Sequence, residues 1–173
     1  VRGELIVRDD VQREYTTRII VRRPKRPRRF HGSVVVEWWN STAGFDSAPV
    51  WDPSAEFFTD RGWIYVGVTN ATQAIDFLKA GCVVISPPGR CGTRYEDLSM
   101  GENGQAYEMV SQIVRLLRSD REDNPIPSRF RVRRVYHAGQ SQQAGSVTTY
   151  ANEFHIDEND GYFIQAGGSR ARS

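Results

Sequence analysis

Two rhythms of apolar and polar positions alternate along this chain. Residues 32–39 (GSVVVEWW) and 63–68 (WIYVGV) are short, almost unbroken apolar runs. Runs of this length, rich in β-branched and aromatic residues, suit central strands buried on both faces. Between and after them the period lengthens. In residues 104–118, Ala106, Met109, Val110, Ile113, Leu116 and Leu117 recur at three- and four-residue steps and make one apolar helical face. Ala144, Val147, Ala151 and Phe154 do the same farther on. Asp52 and Pro53 open a helix over residues 53–59, with Asp52 as N-cap, Pro53 at the first helical position and Arg61-Gly62 closing it. A shorter helix is expected at 73–79 and an apolar stretch at 82–85. Strands are expected at 131–138 and at 161–165 (GYFIQ). Residues 4–7 and 15–22 read as an antiparallel pair joined through Asp9-Asp10. Helices alternating with buried strands predict an α/β fold. Its sheet should be mostly parallel, with helices on both faces and an N-terminal antiparallel hairpin. Residues 33–38, 63–68, 132–138 and 162–165 should be its neighbouring parallel strands.

Composition narrows the class without changing this picture. The 173 residues are 39% hydrophobic and 25% charged, as in a soluble globular domain. No apolar run reaches the ~18 residues of a transmembrane helix. The chain opens on Val1 with no charged-then-apolar leader, so the true N-terminus is expected to be missing. Net charge is only +2, yet Arg22-Arg23-Pro24-Lys25-Arg26-Pro27-Arg28-Arg29 concentrates six cations. No aromatics interleave with them and no nucleic-acid module accompanies them, so this run reads as a solvated loop and no nucleic-acid partner is expected. Cys82 and Cys91 have no zinc spacing; one bridge between them is compatible with the sequence. Neither compartment nor oligomeric state is legible.

Candidate chemistry centres on VYHAGQSQQAGSVTTY, residues 135–150. In a parallel sheet, function gathers beyond the carboxyl ends of the strands. Ser141 falls at such an end, where a strand turns sharply into a helix and Gly139 supplies a small residue two positions before it. A turn of this kind lifts the hydroxyl clear of the sheet and aims the next backbone N–H, that of Gln142, at a developing oxyanion. A second donor is expected from the loop after the earlier central strand, where Trp39-Asn40-Ser41 stands. The alternative is Ser141 as a plain helix N-cap.

The segments GSVVVEWWNSTAGFD, RGWIYVGV, AYEMVSQIVRLLR and AGQSQQAGSVTTYAN…DGYFIQAGG appear in this order, and together they resemble the α/β-hydrolase superfamily. More narrowly, they are similar to a family described as alpha/beta hydrolase domain proteins, which read VVVEW-x-N after the hairpin and G-E-S-Q-S-A at the elbow. The resemblance runs from about Tyr15 to Gly168. It implies that Ser141 is the nucleophile and that Gln142 forms the oxyanion hole with Trp39 and Asn40. It also implies hydrolysis of a small ester-like substrate without a metal or organic cofactor. Gln140 replaces the usual Glu, and Gln143 stands where a small residue is usual, so its long side chain is expected to strain the turn.

A base for Ser141 is harder to find. His137 lies four residues earlier on the incoming strand, roughly 13 Å away at ~3.3 Å per residue. His155 lies near the far end of the following helix, ~21 Å away at ~1.5 Å per residue. His31 precedes a central strand and belongs to the other end of the sheet. In the superfamily the acid and histidine follow later strands. The expectation is therefore that residues 1–173 are the N-terminal part of a single α/β-hydrolase domain, with the acid and histidine beyond Ser173. Trp38 and Phe45, with Trp39 and Trp51, are candidates for lining an acyl pocket. The function expected is a serine hydrolase of the esterase or lipase-like class, inactive as this chain alone. The rival is a non-catalytic relative that binds a ligand or partner.

Overall fold

A computed structural model describes residues 13–82 and 93–167. Five strands form one sheet in the order β1-β3-β2-β4-β5. They are β1 (Ile19–Arg22), β2 (Ser33–Trp38), β3 (Ile64–Val68), β4 (Arg134–Gln140) and β5 (Gly161–Gln165). β3, β2, β4 and β5 are parallel neighbours, with Val36 opposite both Val66 and His137. The four parallel strands expected from the apolar runs are therefore present and adjacent. β1 is antiparallel, but its described partner is β3, with Ile19 opposite Val68. The other arm of the expected hairpin, residues 4–7, lies outside the described residues, as does most of the apolar stretch at 82–85. Cys82 is disulfide-bonded; Cys91 also lies outside the described residues.

The helices are α1 (Trp51–Asp60), α2 (Thr72–Lys79), α3 (Ala106–Arg118) and α4 (Gln142–Glu153). Strand alternation sends β2 side chains to two different cores. Val34, Val36 and Trp38 pack with Ile64, Val66 and Val68 beneath α3 and α4, where Met109, Val110, Val114, Val147 and Tyr150 are buried. Val35 and Tyr65 face the other way, toward Val50, Phe58 and Trp51 of the α1 region. Both faces of the sheet are thus covered, which explains why β2 is buried at every position. β5 is the outermost strand on its side among the described residues, and its Phe163 and Ile164 are exposed.

The start of α1 departs from the local signal. Helix geometry begins at Trp51, ahead of Asp52, and no side chain of the adjoining segment caps it. The cap comes instead from Glu37, in the middle of β2. Its carboxylate accepts the N–H of Val50 (2.8 Å) and of Trp51 (3.0 Å), and the Tyr65 hydroxyl (2.7 Å). Trp39 Nε1–H in turn donates to Tyr65 at 2.7 Å. An anion at a helix N-terminus satisfies otherwise orphaned donors and complements the helix dipole. Burial nonetheless raises the Glu37 carboxyl above its ordinary value, against the lowering effect of these three hydrogen bonds. Tyr65 is pushed up as well, first by burial and then by the adjacent Glu37 charge.

Chain direction reverses about β2. The connection through α1 leads to β3 on one side, and the connection through α3 leads to β4 on the other. The carboxyl ends of β2 and β4 therefore flank a topological switch point, the place where open parallel sheets gather ligands.

Candidate active site

Ser141 stands at this switch point, between the last residue of β4 and the first of α4. Its backbone has φ 56° and ψ −113°, a region that side-chain-bearing residues rarely occupy. Strain of this kind costs ~1–3 kcal/mol and persists only where the surroundings enforce it. The surroundings are visible. Ser141 N–H is held by Gln165 O on β5 at 3.0 Å, and Ser141 O accepts the Ala144 amide at 3.1 Å. Gly139 permits the helix to close over the strand. A Cβ there would lie 2.5 Å from Gln143 O and 2.7 Å from a Val147 methyl. Ser141 is exposed, and its hydroxyl makes no hydrogen bond among the described residues, so it does not cap α4.

The loop after β2 sits against this turn. Asn40 Nδ2 donates to Gln140 O at 3.0 Å, while Ser41 Oγ and Thr42 Oγ1 lie 3.5 Å and 3.3 Å from Gln142 Oε1. The Gln142 amide makes no hydrogen bond among the described residues and lies at the positive end of α4. Trp39 and Asn40 differ from expectation. The Trp39 amide donates to Val68 O (3.2 Å) and the Asn40 amide to Ser47 O (3.0 Å). Both are taken because β2 pairing runs on past Trp38 and Asn40 then forms an antiparallel bridge with Ser47. The next amide along, that of Ser41, makes no hydrogen bond among the described residues, and the residue is fully buried beside the elbow. Gln73 of α2 holds Ser41 by donating to both its carbonyl and its hydroxyl.

Gln143 also behaves differently from its bulk. Its side chain is buried and its amide donates to Asn70 Oδ1 at 3.2 Å, so it ties the elbow to the end of β3. Asn70 Nδ2 and Asp46 Oδ1 are buried without a hydrogen-bond partner among the described residues. Asp46 anchors the loop after β2. Its other oxygen accepts Arg18 (2.8 Å) and Thr69 (2.5 Å), and Arg18 lies over the Trp39 ring at 4.9 Å. Burial raises the Asp46 carboxyl, and the Thr69 bond and the Arg18 charge oppose that rise. Spacing offers no signal for this cluster, whose members lie at the ends of β1, β2, β3 and β4.

The remaining candidates divide. Trp38 does not line a cleft. It is 1% exposed in the core under α3 and α4, because it shares a β2 face with Val34 and Val36. Phe45 is half-buried against Phe77 of α2, 5.8 Å between ring centroids. Trp51 packs on Tyr65 and on Phe58.

None of the three histidines meets Ser141. His137 is fully buried, with both ring nitrogens engaged. Nδ1 accepts Trp38 Nε1–H at 3.1 Å, which places the proton on Nε2, 2.7 Å from Asn159 Oδ1. The donors then run in one direction. Asn159 Nδ2 donates to the Tyr150 and Tyr162 hydroxyls, Tyr150 to Ser111, and Ser111 to Tyr107 O. Burial pulls the His137 imidazole down to about 4, against the raising effect of Asn159. His155 is exposed and its Nδ1 accepts the Tyr162 hydroxyl at 2.6 Å. His31 pairs with Ser33 ahead of β2, at the other end of the sheet.

Among the described residues no group of His, Cys, Asp and Glu could hold a metal ion, and no helix is long and apolar enough to cross a membrane. Comparison with curated proteins and with solved structures gives no match. The family model described as alpha/beta hydrolase domain matches residues 2–173. The order of the strands about the switch point agrees with that match, and the chain belongs to the alpha/beta hydrolase domain family.

Proposed function

We propose that this chain carries the nucleophile of a serine hydrolase that cleaves small carboxylic esters through Ser141. The observation that carries the reading is the backbone of Ser141, at φ 56° and ψ −113° in a strand-to-helix turn. Such strain has no use in a plain helix start, but it presents a hydroxyl beside the free amides of a helix N-terminus. In the proposed reaction Ser141 Oγ attacks the ester carbonyl as a base removes its proton. The tetrahedral oxyanion accepts a hydrogen bond from the Gln142 amide. Alcohol departs with a proton, and water then cleaves the acyl-serine. The Trp39 and Asn40 amides, expected to supply a second donor, are spent on the sheet and on Ser47. His137 is excluded as the base by its burial and its two hydrogen bonds.

One observation favours the rival reading, a non-catalytic relative that binds a ligand at the same switch point: His31, His137 and His155 are all engaged away from Ser141. Hydrolysis of a short-chain aryl ester by the natural protein, beside its Ser141→Ala variant, separates the two. Turnover that falls at least ~10³-fold on substitution supports the esterase. Turnover that survives Ser141→Ala removes Ser141 from the mechanism, and binding of the ester without turnover favours the rival.

A further inference from the structure

We propose that the end of the sheet opposite Ser141 holds a binding site for a phosphate monoester group. The site is a cavity of about 280 Å³ lined by His31, Gly32, Ser33, Arg133 and Arg134, where β2 and β4 begin. Its lining offers donors and no carboxylate. Arg133 lies across Gly32, whose φ is +100°, and a Cβ at Gly32 would come within 2.6 Å of Arg133 Nε. The Arg133 and Arg134 amides both donate to Gly32 O, at 2.8 Å and 3.0 Å, which fixes both residues against Gly32, and Arg133 Nη2 donates to His31 O at 3.4 Å. The His31 ring is held flat on Trp63 (5.5 Å, 10°), and Trp63 stacks in turn on Tyr136 (5.5 Å, 26°). His31 Nδ1 is 3.0 Å from the hydroxyl of the buried Ser33. With Ser33 donating to Nδ1, Nε2–H is left as a further donor.

The folded chain then concentrates charge around this cavity. Phe30, at the end of the basic loop, packs edge-on against Phe130 at 5.9 Å, and Arg23 lies over the same ring at 5.0 Å. Two basic segments about a hundred residues apart, 22–29 and 129–134, therefore meet at one end of the sheet. All their cations are exposed, and none forms an ion pair with an acid among the described residues. Asp123 and Asp160, at the same end, are already paired with Arg121 and Arg118. Asp60, Asp120, Glu122, Asp157 and Glu158, which precede the starts of β3, β4 and β5, offset only part of the excess. Two guanidinium forks and an imidazole N–H suit a dianion with three acceptor oxygens better than a carboxylate, which one arginine satisfies. A free phosphate ester and the headgroup of phosphatidic acid both present this chemistry.

Calorimetric titration with glycerol 3-phosphate tests the site, with circular dichroism confirming that each variant is folded. Saturable binding at one site is expected. Arg133→Gln and Arg134→Gln should each weaken it about tenfold, the loss of a charge-assisted hydrogen bond. Arg115→Gln, on the exposed side of α3, and Ser141→Ala should leave it unchanged. Sedimentation with phosphatidylcholine vesicles, with and without phosphatidic acid, identifies the source. Arg133-dependent pelleting with phosphatidic acid assigns the headgroup, and soluble binding without pelleting assigns a free ester. The site is refuted by the absence of saturable binding or by an equal loss in Arg115→Gln. Binding of an oligonucleotide that glycerol 3-phosphate does not displace also refutes it, since the basic end would then be a polymer surface.

Discussion

His137 makes the stability of this fold depend on pH in a calculable way. Its imidazole is fully buried on β4, neutral, with Nδ1 accepting from Trp38 and Nε2 donating to Asn159. Burial lowers its affinity for a second proton from the ordinary 6.5 to about 4. The unfolded chain therefore binds a proton between these values that the folded chain refuses. The stability His137 contributes is complete above pH 6.5 and is lost as the pH falls toward 4. At ~1.4 kcal/mol per pH unit, the interval from 6.5 to about 4 is worth about 3 kcal/mol. Glu37 and Asp46 act in the opposite sense, because burial raises their carboxyls and protonation on the way down relieves an unfavourable buried charge. The decisive quantity is thus a difference. Urea unfolding of the wild type and of His137→Gln, which does not titrate, should be followed by circular dichroism from pH 7.5 to pH 4. The wild type should lose about 3 kcal/mol relative to the variant over that range. Parallel stability curves would refute the argument, since they would mean that His137 reaches solvent or is charged in the folded state.

The strain at Ser141 gives a second expectation. Ser141→Gly should raise unfolding free energy by about 1 kcal/mol over Ser141→Ala, and equal stabilities in chemical denaturation would show that the turn is relaxed. Gly139→Ala places a methyl 2.5 Å from Gln143 O, so chemical denaturation should show a loss of about 2–3 kcal/mol. Glu37→Ala leaves the Val50 and Trp51 amides and the Tyr65 hydroxyl without an acceptor, so the thermal midpoint should fall by the equivalent of about 3 kcal/mol, with Glu37→Gln recovering part of it.

The sequence by itself determined the layers. Almost unbroken apolar runs such as SVVVEW, interrupted only by Ser33 and Glu37, offer water no continuous polar face, so they suit interior strands. The three- and four-residue spacing in residues 106–117 admits only a helix with one buried side. Alternation of the two then leaves a parallel sheet as the simple solution. The elbow was legible for a similar reason. Gly139 before Ser141 and an amphipathic run after it are local consequences of a tight strand-to-helix turn. What tertiary structure alone decided involves partners far apart in the chain. Asp52 was the cap that local spacing favoured, yet a carboxylate in β2 does that work, because the sheet delivers Glu37 to the first turn of α1. Trp39 and Asn40 look like free amides in sequence, but pairing with Val68 and Ser47 consumes them. Gln143 looks too large for its turn until Asn70, at the end of another strand, accepts its amide. The two arginine-rich segments have little in common along the chain. They meet because parallel pairing of β2 with β4 brings both strand starts to one end of the sheet, with Ser33 opposite Arg134. Local pattern reports how each segment hides its apolar side, whereas the destination of each polar group is set by which strands the fold makes neighbours.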